Sequence, residues 1–116
     1  MNRRFRLRRS ADFKRVRRLG KSFAHPLIVL IKLENEYENS RFAVAAGRSV
    51  GNAVQRNRAK RLLRAAIQTR VEGIKAGWDV LLIARQPLAG SNLMDTQVAL
   101  DSLLRRSGLI RKTDDN

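Results

Sequence analysis

Gly51-Asn52-Ala53-Val54-Gln55-Arg56-Asn57-Arg58-Ala59-Lys60-Arg61-Leu62-Leu63-Arg64 is the stretch on which the reading of this chain turns. Its periodicity predicts a helix over about residues 53–71, closed by Gly73 and Gly77. Wound at about 100° per residue, Ala59, Leu62, Leu63 and Ala66 gather on one side as the core face. Asn57, Lys60, Arg61, Arg64 and Gln68 form a ridge opposite, with Arg56 and Arg58 on the flanks. Over roughly 15 Å of helix this ridge carries several cations and no acid. Like charges so spaced destabilise an isolated helix, and a polyanion would reverse the sign of that term. The turn before it, Gly47-Arg48-Ser49-Val50-Gly51-Asn52, joins strand to helix and points a helix N-terminus outward. It lacks the lysine and hydroxyl of a nucleotide-binding phosphate loop, so that class is rejected.

The charge map supports a polyanionic partner. The chain has 116 residues and a formal net charge of +15. Residues 1–25 hold ten Lys/Arg against one acid, and residues 48–75 hold eight against one. The remainder has seven basic and eight acidic residues, so two segments carry the whole excess. Nineteen of the 25 basic residues are Arg, which favours planar contact with phosphates and bases. Nucleic acid is therefore preferred to an anionic membrane or an acidic protein. No apolar run reaches the ~20 residues of a membrane helix, and a cytoplasmic protein is the simplest reading.

One domain, residues 1–116, is expected from the length. Residues 1–9 read as a flexible basic segment. Ser10 caps a helix that starts at Ser10-Ala11-Asp12-Phe13 and ends at Gly20. Lys21–Leu33 reads as a strand with Pro26 at an edge or bulge. An acidic turn, residues 34–40, leads to a returning antiparallel strand over Arg41–Val50. Trp78–Ala84 is apolar on both faces and predicts a central strand. Ser91 or Asp95 caps a last helix bearing Met94, Val98, Leu100, Leu103 and Leu104, ended by Gly108. The order α-β-β(-β)-α-β-α is that of an α/β (α+β) two-layer sandwich.

No catalytic constellation is visible. The chain has one histidine and no cysteine, which excludes thiolate chemistry and a histidine acid–base pair. His25 beside Pro26 reads as structural and Tyr37 as a surface residue. Glu34, Glu36 and Glu38 read as a solubilising edge, and Asp79 and Asp101 as isolated acids. Any hydrolysis would have to be supplied from elsewhere.

The run from Gly51 to Arg61 resembles the signature of the bacterial ribonuclease P protein subunit, matching at Gly51, Asn52, Ala53, Val54, Arg56, Asn57, Arg58, Lys60 and Arg61. The likeness extends to the Asp12-Phe13 helix with Val16 and Gly20, to Ile83-Ala84-Arg85-Gln86-Pro87, and to the leucine-rich last helix. The resemblance implies a ribosomal-protein-like fold with a left-handed strand–helix–strand crossover. It implies a protein that, with the ribonuclease P RNA, forms an endoribonuclease removing the 5′ leader of precursor tRNA. The RNA subunit is then the catalyst and carries Mg²⁺, while the protein binds no cofactor alone. Arg48, Asn52, Arg56, Asn57, Arg58, Lys60, Arg61 and Arg64 become the candidate RNA-binding residues. Phe13, Arg17 and Ile31 become candidates for the leader cleft, although the last two replace residues that are often aromatic in the family. Arg48-Ser49 likewise stands where paired lysines are usual. A ribosomal-type structural RNA-binding protein is the alternative, and a DNA-binding regulator a weaker one, since no helix-turn-helix is recognisable.

Overall fold

The computed structural model describes residues 5–110. Trp78–Ala84 (β4) runs through the interior of a four-stranded sheet of order β1-β2-β4-β3, the other strands being Lys21–Ala24 (β1), Ile28–Glu34 (β2) and Arg41–Ala46 (β3). A strand with apolar residues on both sides is buried on both faces only in such a place. The helices are Ser10–Leu19 (α1), Ala53–Gln68 (α2) and Leu93–Arg106 (α3). The sheet and the α2/α3 pair are the two layers of the sandwich, and α1 lies across the sheet's second face.

Pro26 divides the expected first strand in two. His25 and Ile28 exchange backbone hydrogen bonds across the turn, and His25 Nδ1 accepts from the Leu27 N–H at 3.0 Å. β1 and β2 are therefore an antiparallel hairpin. The strand Arg41–Ala46 does not return beside β2 as expected. It pairs in parallel with β4, Val44 opposite Leu82, while β2 pairs antiparallel with β4 from the other side. β4 has entered between two strands that are neighbours in sequence, because its two apolar faces and both rows of backbone groups need cover. The β3–α2–β4 unit is thus a parallel crossover, and it places the N-terminus of α2 just beyond the end of β3.

The larger core joins Ile28, Leu30, Phe42, Val80 and Leu82 to Ala59, Leu63, Ala66 and Ile67 of α2 and to Ala99, Leu100, Leu103 and Leu104 of α3. Full burial of each large aliphatic side chain is worth about 2 kcal/mol. The smaller core joins Val16 of α1 to Leu7, Ile31 and Leu81. A Cβ at Gly20 would lie 2.6 Å from the Ile31 side chain, so the C-terminus of α1 reaches β2 only through a glycine.

Several expectations at helix ends change. Ser10 is the first residue of α1 and makes no capping bond; Arg9 precedes it in extended backbone. Asn92 caps α3 by accepting from the Asp95 N–H, in place of Ser91 or Asp95. Met94 and Val98 are 72% and 62% exposed, and Thr96 and Ala99 take the inner positions instead. Residues expected to be flexible are partly tethered. Leu7 is buried and donates its N–H to the Phe42 carbonyl, and Arg6 bridges Phe42 on the outer edge of β3. The apolar Leu7 side chain, inserted among Val16, Ile31 and Leu81, accounts for the tether. The rest of that segment, residues 1–4, lies outside the described residues. Among the described residues no helix is long and apolar enough to cross a membrane.

Candidate RNA-binding surface

The start of α2 is fixed by a reciprocal cap. The Asn52 side chain accepts from the Gln55 N–H at 3.0 Å, and the Gln55 side chain accepts from the Asn52 N–H at 2.8 Å. Gly51 makes this possible: its φ is 140°, and a Cβ there would collide with the Gln55 side chain. Asn52, expected among the RNA contacts, is occupied in closing the helix N-terminus.

The buried stripe of α2 is Ala59, Leu63, Ala66 and Ile67. It is rotated from the expected core face, so Leu62 becomes a half-buried flank and Ile67 a core residue. Lys60 moves from the ridge to a half-buried flank beside Arg56. Asn57, Arg61 and Arg64 remain exposed on the outer side, and Arg48 is exposed on the 3₁₀ turn Arg48–Val50 before the helix. None of Arg48, Arg56, Lys60, Arg61 and Arg64 has a hydrogen-bond or ion-pair partner among the described residues.

Arg58 differs. Its guanidinium donates to the carbonyls of Ala89 at 2.8 Å and Ser91 at 3.1 Å, tying the loop after β4 to the first turns of α2. Arg58→Ala is expected to lower stability by about 1 kcal/mol, with no change in the salt dependence of RNA binding. Denaturant titration and binding isotherms at several salt concentrations check both halves. A slope flattened by a full unit with unchanged stability would return Arg58 to the phosphate contacts. Arg70 is also withdrawn from the basic surface, since its guanidinium pairs with Asp101 and raises its own pKa further through that hydrogen bond. Asp101 is therefore not isolated.

Nor is Asp79. Its fully buried carboxylate accepts from Arg41 Nε at 2.9 Å, Arg41 Nη2 at 2.8 Å and Asn35 Nδ2 at 2.8 Å. Arg15 Nη2 reaches it at 3.5 Å, and Asp12 completes the group at 3.5 Å from Arg41. Hydrogen bonding to Asp79 holds the Arg41 pKa above its ordinary value, against the opposing effect of burial. Arg41 also lies over the Tyr37 ring, 4.4 Å from its centroid. This cluster anchors α1 to the ends of β3 and β4, and with α1 it positions Phe13.

Phe13 is half-buried and lines a cavity of about 590 Å³ with Arg6, Leu7, Arg8, Phe42, Ala43, Val44 and Arg64. The structure thus brings Phe13 together with Arg64 around the edge of β3. Ile31 does not join them: it is 5% exposed and packed beneath α1 against Gly20, a core residue and not a cleft wall. Arg17 is exposed on α1 and lines neither this cavity nor the Asp79 cluster. The contributions of Arg6 and Arg8 escaped the sequence reading, because nothing local says that an N-terminal arginine will lie beside an internal strand.

A sequence model described as Ribonuclease P matches residues 1–108 of the chain. The chain belongs to the ribonuclease P protein family. It is 36% identical over 114 residues to the ribonuclease P protein component of Bacillus velezensis, with 97% of each chain covered. It is 33% identical over 112 residues to that of Clostridium botulinum, with 90% of each covered. The solved RNase P protein of Staphylococcus aureus is similar with a TM-score of 0.82 at 29% identity, over 92% of this chain and 98% of that one. The Thermotoga maritima RNase P protein gives 0.77 at 28% identity, over 87% and 96%. For a ribonuclease P protein, the division of its arginines is informative. Arg15, Arg41, Arg58 and Arg70 are engaged within the fold, whereas Arg48, Arg56, Arg61 and Arg64 remain available to a partner.

Proposed function

We propose that this chain, in the cytoplasm, binds the ribonuclease P RNA through the outer face of α2. In the same reading it binds the single-stranded 5′ leader of precursor tRNA along α1 and the edge of β3, and so promotes 5′-end maturation of tRNA. The observation that carries this is the row of α2 cations, Arg56, Lys60, Arg61 and Arg64, without partners among the described residues on a helix that has no acid of its own. Held within 1.5 Å of axial rise per residue, these groups repel one another until a polyanion supplies the counter-charge. Counterion release from that polyanion then drives association.

The chemistry of leader cleavage is assigned to the RNA subunit and its Mg²⁺. Among the described residues no group of three or more His, Cys, Asp or Glu is placed to hold a metal ion. The best-buried carboxylate, Asp79, is already saturated by Arg41 and Asn35. What the chain's own residues do is bind and orient. The engaged arginines hold α1 and the loop after β4 in place, and the unpaired ones meet phosphates.

The deciding experiment mixes the chain with ribonuclease P RNA and precursor tRNA at low Mg²⁺. Cleavage at the mature 5′ end is expected to appear, or to require less substrate, when protein is added. Cleavage indifferent to the protein would overturn the reading.

A further inference from the structure

We infer that a cavity at the carboxyl ends of β3 and β4 takes one nucleotide of the ribonuclease P RNA. Arg85 and Ser49 hold its phosphate, Pro26 and Pro87 flank its base, and His25 and Gln86 meet the base edge. The inference rests on the reading above and adds a contact to it, clear of α1 and beyond the outer face of α2. Ile83-Ala84-Arg85-Gln86-Pro87, a run that carries part of the resemblance, has no place in the surfaces described so far. All five residues line this cavity of about 770 Å³. His25 and Pro26 close it at the β1–β2 turn, and Ser49 closes it on the 3₁₀ turn before α2. That volume falls within the ~300–1,000 Å³ of small-ligand sites. No lining residue is shared with the cavity beside Phe13. Asp79 and Arg41, which hold α1, stand near the starts of β4 and β3, roughly 16 Å away along the strands.

The walls are held in place by the fold itself. The Arg85 N–H donates to the Leu27 carbonyl at 2.9 Å, and the Leu88 N–H to the Arg85 carbonyl at 3.0 Å. Both prolines have their φ fixed by the ring. His25 Nδ1 accepts from the Leu27 N–H, so the neutral imidazole carries its hydrogen on Nε2. That donor, the Ser49 hydroxyl and the Gln86 amide have no partner among the described residues. Arg85 Nη1 reaches the His25 carbonyl at 3.5 Å, and the rest of its guanidinium is uncommitted.

The lining decides what fits. Its side chains are mostly donors, and no acid is among them. An acceptor-rich anion suits such a set, and guanidinium, hydroxyl and amide groups are the common partners of an RNA phosphate. The two prolines and Ile83 add an apolar wall that a bare phosphate would leave uncovered. A base and its ribose cover it, with the base edge satisfied by hydrogen bonds. Arg48 directly precedes Ser49 and is exposed without a partner among the described residues. An RNA strand that meets Arg48 and the first turn of α2 therefore reaches this cavity without leaving the protein surface. A peptide ending in a carboxylate could also meet Arg85, but it would leave Arg48 without counter-charge.

The test uses the holoenzyme. The chain has no cysteine, so Ala24→Cys, on the β1 side of the cavity, supplies a single thiol for an iron chelate. Hydroxyl radicals from that iron are expected to cut one strand of the ribonuclease P RNA and so mark its nucleotides. Each marked nucleotide is then made abasic in turn and assembled with the wild-type chain. One position should weaken assembly roughly tenfold, the loss of one or two hydrogen bonds with their stacking. Gln86→Ala should erase the dependence on that base while leaving the log–log salt slope unchanged. Arg85→Ala should flatten the slope by about one unit, and Arg85→Lys, which keeps the charge, should restore it. Both side chains are exposed, so the denaturation midpoints should stay where they are. A flat abasic scan, a base dependence that survives Gln86→Ala, or an unchanged slope with Arg85→Ala overturns the inference. So does binding of the peptide acetyl-Ala-Leu-Ala, with its free carboxylate, at the Gln86 amide if the RNA fails to displace it. Failure to assemble with ribonuclease P RNA would count against the broader reading; assembly without cutting from residue 24 counts against this cavity alone.

Discussion

Asp79→Ala is expected to cost the fold about 3 kcal/mol, at the low end of what breaking a buried ion pair costs. The carboxylate is fully buried, and the Arg41 side chain it holds is 16% exposed, so removal leaves a guanidinium with poor access to water. Asn35 Nδ2 loses its 2.8 Å acceptor at the same time. Against a total of roughly 5–15 kcal/mol for a native domain, this is a large share. Guanidinium denaturation with a fitted slope measures it. A loss under about 1 kcal/mol would mean that Arg41 relaxes to solvent, as exposed pairs do. Because Arg15 and Asp12 bring α1 into the same cluster, the variant should also loosen α1, seen as faster amide exchange from Phe13 to Val16.

The second large effect is on binding. Arg61→Ala with Arg64→Ala is expected to weaken association with ribonuclease P RNA roughly a hundredfold at low salt, about tenfold for each lost phosphate contact. The log–log salt slope should flatten by about one unit for each arginine removed. Both side chains are exposed and have no partner among the described residues, so the denaturation midpoint should stay where it is. Lost affinity with an unchanged slope would point to packing against RNA and not to charge. Arg58→Ala is the internal comparison, because its guanidinium already serves two backbone carbonyls.

Local signals carried part of this structure a long way. The α2 helix, its acid-free outer side and the central place of Trp78–Ala84 follow from periodicity and composition, which act within a dozen residues. The family follows from the run at Gly51–Arg61, which the match over residues 1–108 extends to nearly the whole chain. Asp79 could have been flagged from sequence. A charge inside an otherwise apolar two-sided strand must be paired if that strand is buried, yet its partners sit 38, 44 and 64 positions away. Asn52 carried an ambiguity of the opposite kind. A motif asparagine before a basic helix suits a phosphate contact and an N-cap equally, and only the Gln55 side chain, folded back beside Gly51, reveals the cap.

By itself, then, the sequence determined that α2 forms, which of its sides is polar, and that the positive charge is concentrated in two segments. Only the tertiary structure decided which arginines are engaged inside the fold and which stay without a partner among the described residues. It inserted β4 between β2 and β3, turned an expected hairpin into a parallel crossover, buried Ile31, and carried Arg6, Arg8, Phe13 and Arg64 to one strand edge. The physical reason is range. Helix periodicity and capping are settled between residues three or four apart, whereas burial, ion pairing and strand order depend on which distant surfaces exclude water together.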